Sequence, residues 1–307
     1  VSVGAIEALA PARGGCYRDG VITVRPRSPV APRRPGGLRT AHFDLLREDG
    51  ELVLEHALTL AGVDDDLAGL LSEELFEPGW LRGADLFERV FTGVVLTCDD
   101  DPVTAWAAFY ENTLRAVDRA APGDADLPAP PEGGAGHGTV AGYAPVYRRV
   151  AALVRGRSVL ELGSCFGFLA LRLADRHEVI ASDVSSGTMD LLQVMSGRMG
   201  LPLDTLVCDA AHVPRADRSV DTVLAVHLLE HLEPEHAGRV IGTACRLARQ
   251  RVVVAVPLEE RPSEQYGHLW AVTLDALQRW ADGAAGWCGE VSEDHGGWLV
   301  LDRVERG

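Results

Sequence analysis

The sequence contains no lysine: all 29 basic residues among its 307 are arginine. That absence excludes a Schiff-base lysine, a lysine general base and a phosphate-binding loop ending in G-K-[ST]. Positive charge is scarce overall, with 29 basic residues against 45 acidic ones and a net charge of −16. Such a surface repels phosphate, and no dense basic run offsets it, so neither nucleic acid nor an anionic membrane is expected as a partner. No apolar run reaches the 18 residues of a membrane span. The first residues, VSVGAIEALAPARGG, lack the charged-then-apolar order of a signal peptide. The six cysteines (Cys16, Cys98, Cys165, Cys208, Cys245 and Cys288) show no C-x-x-C or zinc-finger spacing. Scattered thiols fit a reducing compartment, and a cytoplasmic location is expected.

What is present is an ordinary globular balance, 47% hydrophobic and 24% charged. The length suggests about two domains. In the first part, Gly20–Val24 has strand composition, and residues 25–37, rich in Pro and Arg, read as extended or turn-rich. HFDLLREDGELVLEHAL fits either a hairpin turning at Asp49-Gly50 or two short helices. Apolar residues three and four apart predict helices between Asp85 and Ala120. Residues 121–138, loaded with Pro and Gly, read as a linker. We therefore expect an N-terminal α+β region over 1–136 and a second domain over 137–307.

Beyond the linker, short apolar strands alternate with helices: SVLELG, FLALRLADR, EVIASD, GTMDLLQVMSGRMG, TLVCD, SVDTVLAV, HAGRVIGTACRLARQ and RVVVAVP. That alternation predicts an α/β doubly wound, mostly parallel sheet. The tail, GWCGEVSEDHGGWLVLDRV, reads as two strands joined at a Gly-Gly turn. The first strand runs into Glu161-Leu162-Gly163-Ser164-Cys165-Phe166-Gly167 and then a helix. Small residues at such a turn let a ligand lie against bare backbone and face helix-start N–H groups. The dinucleotide pattern G-x-G-x-x-G would place Gly163, Cys165 and Phe168, and two of three positions fail. The S-adenosylmethionine pattern, an acid followed by spaced glycines, finds Glu161, Gly163 and Gly167, with Cys165 at the middle glycine. A carboxylate there repels a pyrophosphate but not an ammonium group. Asp183 closes the second strand, where an acid can accept ribose hydroxyls, and Asp209-Ala210 follow the third, where they can read an adenine edge.

ELGSCFG, ASD, CDA and VDTVLAVHLLEHL, in that order and spacing, resemble the class I S-adenosylmethionine-dependent methyltransferases over about residues 137–307. The resemblance implies a seven-stranded sheet with its last strand antiparallel, and Glu161, Gly163, Asp183 and Asp209 around the cofactor. GSCFGF, HLLEHL and the lysine-free chain with an extra N-terminal half are similar to the mycofactocin oligosaccharide methyltransferase family. That likeness implies methylation of a glucose hydroxyl on an oligoglucoside.

Methylating a hydroxyl requires loss of a proton, and a sugar hydroxyl has a high pKa, so a positioned base helps. His227 after the fourth strand and His268 past the fifth are the first candidates, and His295 beside Asp294 is the third. A magnesium ion is the competing route, but no carboxylate cluster for it is evident in the sequence, and no metal ligands are assigned. Tyr143 and Tyr147, four apart, could close over the cofactor from one helix face, and Trp270 and Trp298 could stack on a sugar. Asp221 reads as structural. The expected partner is a small-molecule or glycan acceptor, with a homodimer as a further expectation. The rival readings are an N- or other small-molecule methyltransferase and a non-catalytic cofactor-binding regulator.

Overall fold

The computed structural model describes residues 6–12, 14–28, 36–120, 140–263 and 266–304. The chain divides into two compact units, Val1–Ala144 and Pro145–Gly307. The linker expected at 121–138 and most of the Pro/Arg-rich segment lie outside the described residues. Among the described residues, no helix is long and apolar enough to cross a membrane.

The first unit is built on a five-stranded sheet of β1 (Tyr17–Arg18), β2 (Ile22–Pro26), β3 (Leu38–Arg39), β4 (Phe43–Glu48) and β5 (Glu51–His56). Its order is β1-β2-β5-β4-β3, with β2 and β5 parallel and the other pairs antiparallel. The ambiguous stretch is thus a hairpin. Asp49 and Gly50 both take positive φ, 49° and 87°, the backbone a tight two-residue turn demands. After α1 (Asp66–Leu71) and a π-turn at Ser72–Phe76 come α2 (Ala84–Leu96) and α3 (Pro102–Arg119). Pro102 opens α3, and the Asp101 carboxylate accepts from Thr104 N–H, both helix-start devices. Trp106, Phe109 and Tyr110 on α3 are wholly buried. Arg89 of α2 is buried as well, held by ion pairs to Asp19 and Asp85 at 2.8 Å each.

The second unit opens with α4 (Ala144–Leu153) and continues β6 (Ser158–Leu162), α5 (Phe168–Ala174), β7 (Glu178–Asp183), α6 (Ser186–Met199), β8 (Asp204–Val207), β9 (Val220–Val226), α7 (Pro234–Leu247), β10 (Ala248–Val256), α8 (Leu274–Gly283), β11 (Trp287–Glu293) and β12 (Gly297–Arg303). These strands form one sheet in the order β11-β12-β10-β9-β6-β7-β8. The β8, β7, β6, β9 and β10 neighbours run parallel, and β12 is antiparallel to both β10 and β11. This is the doubly wound seven-stranded sheet expected from the sequence. β9 and most of β10 are buried at every position, which is why they read as continuous apolar runs.

Asp221 locks the start of β9 to that of β6. Its Oδ2 accepts from Arg157 N–H, Ser158 N–H and Ser158 Oγ, and its Oδ1 accepts from Arg249 at 2.7 Å. Burial opposes its ionisation, but these donors outweigh burial and hold its carboxyl well below the usual range. Its folded pKa lies below the unfolded one, so its contribution is present above about pH 4 and fades as pH falls toward the folded value. Asp221→Ala should therefore cost about 2–3 kcal/mol at pH 7. Urea titrations of parent and variant should show that gap narrowing below pH ~4; a gap constant down to pH ~2 would contradict the assignment.

Candidate active site at the carboxyl edge of the second sheet

Open parallel sheets receive ligands beyond the carboxyl ends of their strands. Here β6, β7, β8, β9 and β10 deliver Glu161, Asp183, Asp209, His227 and the loop bearing His268 to that edge. The turn after β6 is tight. Ser164 N–H donates to Ser182 O at 2.9 Å, and Gly167 N–H donates to Ser164 O at 2.7 Å. Gly163 and Gly167 have φ of 67° and 73°, and a Cβ on either would fall within 2.6 Å of Leu228 or Leu192 side-chain atoms. Glycine is thus required at both for backbone conformation and for close approach. Cys165 also lies in the left-handed region, at φ 48°, with its side chain exposed.

Asp183 ties this turn to the next helix. Its Oδ2 accepts from Cys165 N–H and its Oδ1 from Ser185 N–H, both at 3.0 Å. Glu161 is 5% exposed, and its Oε2 has no hydrogen-bond partner among the described residues. Burial chiefly pushes its carboxyl up to about 8, with the Asp183 charge adding to the rise and Ala170 N–H opposing it. Asp209 is fully engaged: Ala211 N–H and His236 Nε2 lie 2.8 Å from Oδ1, and His212 Nδ1 lies 3.2 Å from Oδ2. Burial raises its pKa, but those donors prevail and hold it at about 2. Ala210 follows, half-buried, in the turn three residues beyond β8.

At the neighbouring strand ends, the structure gathers histidines. His227 takes φ 51°, and its N–H donates to Ala255 O at 2.9 Å, fixing an unusual backbone where β9 leaves the sheet. Its ring Nδ1 lies 3.5 Å from Glu230 Oε1. Burial, then the His268 and His231 rings, lower its pKa to about 4, so the ring is neutral at pH 7. The His231 and His268 rings meet edge-to-face at 4.8 Å, and His268 Nδ1 lies 2.8 Å from Glu259 Oε2. The position of Leu228 against Gly163 places this group directly beside the turn after β6. The expected pair His227 and His268 is brought together. His295 lies instead on the β11–β12 turn, where its Nε2 stands 3.8 Å from Asp294 Oδ1.

Three residues escaped the sequence reading. Glu230 and His231 stand in HLLEHL, which carried the family resemblance but no site role. They occupy a short 3-10 turn, Leu229–His231, ahead of α7. Glu259 gave no signal, because only the fold of the loop after β10 sets it against His268. Of the two tryptophan expectations, the one for Trp298 is corrected. Trp298 is 1% exposed, covered by the Arg149 guanidinium at 4.4 Å and donating to Asp294 O, so it cannot stack on a sugar. Trp270 donates to Leu229 O at 3.1 Å and meets Trp280 edge-to-face, so it clamps the 3-10 turn. Tyr143 closes the 3-10 turn Val140–Tyr143, which runs directly into α4 at Ala144, and Tyr147 lies four residues on within α4.

Residues 159–251 match the family described as "Methyltransferase domain". No curated protein matches the chain significantly. Among solved structures, an S-adenosylmethionine-dependent methyltransferase from Aquifex aeolicus is similar at 18% identity and TM-score 0.42, over 52% of this chain and 87% of that one. Magnesium protoporphyrin IX methyltransferase from Synechocystis, with bound S-adenosylmethionine, is similar at 18% identity and TM-score 0.45, over 64% of this chain and 91% of that one. A protein from Methanococcus maripaludis described as a methyltransferase dependent on the same cofactor gives 14% identity and TM-score 0.45, over 54% of this chain and 89% of that one. The domain match lies within the second unit and supports methyl transfer by it.

The left-handed backbone at Cys165 generates a stability test. That conformation costs a residue with a Cβ about 1–2 kcal/mol, and glycine's extra chain entropy returns about half of that. Cys165→Gly should raise the unfolding midpoint by about 1–3 °C. Calorimetric scans of parent and variant check this; a lowered midpoint would mean that thiol contacts outweigh the backbone cost.

Proposed function

We propose that the second unit is an S-adenosylmethionine-dependent O-methyltransferase acting on a saccharide hydroxyl, of the kind a glucose of the mycofactocin oligoglucoside offers. The carrying observation is the set of three imidazoles, His227, His231 and His268, gathered with Glu230 and Glu259 beside the turn after β6. A sugar hydroxyl needs help losing its proton, whereas a neutral amine needs none, and a buried neutral imidazole is suited to accept that proton.

The residues fit the cofactor chemically. Glu161 holds a buried carboxyl oxygen with no partner, suited to an ammonium group. Gly163, Cys165 and Gly167 offer backbone with little side chain in the way. Asp183 is placed to accept ribose hydroxyls while it pins the turn, and Asp209 with Ala210 is assigned to the adenine. S-adenosylmethionine supplies an electrophilic methyl group on a sulfonium. This chain's residues hold the acceptor oxygen in line with it, which is where proximity contributes most. The acceptor's proton passes to the histidine group, with His227 first and His268 second; His295, on the β11–β12 turn, stands outside that group.

The test is a screen with isotopically labelled cofactor against oligoglucosides and cell extract, reading which molecule gains a methyl. A saccharide carrying an alkali-stable methyl ether is the expected product; labelling confined to amines or carboxylates would overturn the proposal. On the confirmed acceptor, His227→Ala should lose about 10²–10⁴-fold in turnover while keeping cofactor affinity.

Glu161 offers a separate readout. With its pKa at about 8, it is mostly protonated at pH 7. A bound ammonium favours the ionised form, so S-adenosylhomocysteine binding should release about one proton at pH 7 and progressively fewer above pH ~8. Calorimetry in buffers of different ionisation enthalpy counts those protons. Glu161→Gln should abolish the release; an undiminished release in that variant would remove Glu161 from the site.

A further inference from the structure

Glu230, His231 and His268 each present a ligand atom, and these three atoms lie within 4.8 Å of one another. Glu230 is 1% exposed, yet among the described residues neither of its carboxyl oxygens takes a hydrogen bond, although His227 Nδ1 stands 3.5 Å from Oε1. A buried carboxyl group left in that state is costly, and a native fold retains one where something else completes it. Its backbone is fixed on both sides: Leu269 N–H donates to Glu230 O at 2.8 Å, and Trp270 donates to Leu229 O. These two bonds also fasten the loop bearing His268 to the turn bearing Glu230 and His231.

The imidazoles are oriented. His268 Nδ1 faces Glu259 Oε2 at 2.8 Å, which leaves Nε2 as the ligand atom. A carboxylate behind a histidine in this way is the usual support of a metal-binding imidazole, setting its tautomer and raising its basicity. His231 is exposed at the mouth of the group, so an ion held there keeps open positions. Two histidines and one carboxylate with open positions suit a divalent first-row cation and leave room for oxygen ligands from outside.

We propose that Glu230, His231 and His268 bind a divalent first-row cation, with Glu259 positioning His268, and that the open face of this ion takes hydroxyl oxygens of the methyl acceptor. The binding site stands on geometry alone; its role toward the acceptor rests on the O-methyl transfer reading above. The ion would hold the reacting oxygen and polarise it, which makes its proton easier to lose. His268 then acts as a ligand and not as a base. Adjacent sugar hydroxyls are a fitting chelate for such an ion, which narrows the acceptor to polyols able to offer two oxygens.

The experiment uses the full chain without a histidine tag, stripped with a chelator and titrated with Mn²⁺, and separately with Zn²⁺, by calorimetry and electron paramagnetic resonance. One ion per chain is expected. Glu230→Gln and His268→Ala should each weaken binding by more than ~10-fold, and Glu259→Gln by about 10–100-fold. Retained S-adenosylhomocysteine affinity in each variant shows that the unit is folded. In the parent, Mn²⁺ should broaden the His231 and His268 ring signals, a readout that needs no variant. No stoichiometric binding of either ion, or binding unchanged in Glu230→Gln and His268→Ala, would overturn the proposal. If the ion binds and the variants lose it while no saccharide is methylated, the metal site stands and the acceptor reading falls.

Discussion

Two carboxylic acids sit at the ends of neighbouring strands with almost no water and incomplete hydrogen bonding, and the site is organised around them. Glu161 on β6 and Glu230 just beyond β9 are both driven, by burial first, to pKa values of about 8. Taking a carboxylate out of water is expensive, and the protein gives neither residue the arginine that would normally accompany it. Arginine is plentiful here, and elsewhere it is used in that way: Arg89 with Asp19 and Asp85, Arg25 with Glu48 and Glu55, Arg251 with Asp302. The two acids at the sheet edge are therefore set apart from the chain's own habit. A cation bound at that edge would favour the ionised form of both acids, as the proposed ammonium at Glu161 and the proposed metal ion at Glu230 would.

The same edge is held rigid by contacts among the chain's own residues. Asp183 fastens the turn after β6 to the start of α6 through two backbone N–H groups. Leu228 fills the space that a side chain at position 163 would occupy, so the turn and the histidine group pack as one piece. Trp270 holds the 3-10 turn from behind. A site built from four strand ends and two loops thus inherits the rigidity of the sheet, the condition under which proximity contributes to rate.

How much of this was legible in the sequence follows from the physics of each part. Strands buried on both faces write themselves as apolar runs, so β6, β7, β9 and β10 were readable, and the turn after β6 was readable because its residues are local. The hairpin of β4 and β5 stayed ambiguous, since its apolar spacing served two periods and only the positive φ at Asp49 and Gly50 decides between them. The histidine group was half legible. His227, Glu230 and His231 lie within five positions, but His268 comes back only because β10 and its loop return to the same edge, and Glu259 only through His268. Trp298 misled because nothing in its neighbourhood along the chain shows that Arg149 covers it.

The strand order of the second sheet also governs how this unit can be made. β12 lies between β10 and β11, and β11 has no neighbour other than β12. During synthesis β11 emerges before the strand it needs, while β10 presents an open edge of unpaired N–H and C=O groups. β12 closes this side of the sheet, and the Arg251–Asp302 and Arg149–Asp294 pairs hold its two ends. A chain cut before residue 297 would keep the unpaired edge of β10 and leave β11 without its partner, so loss of this one strand would undo two.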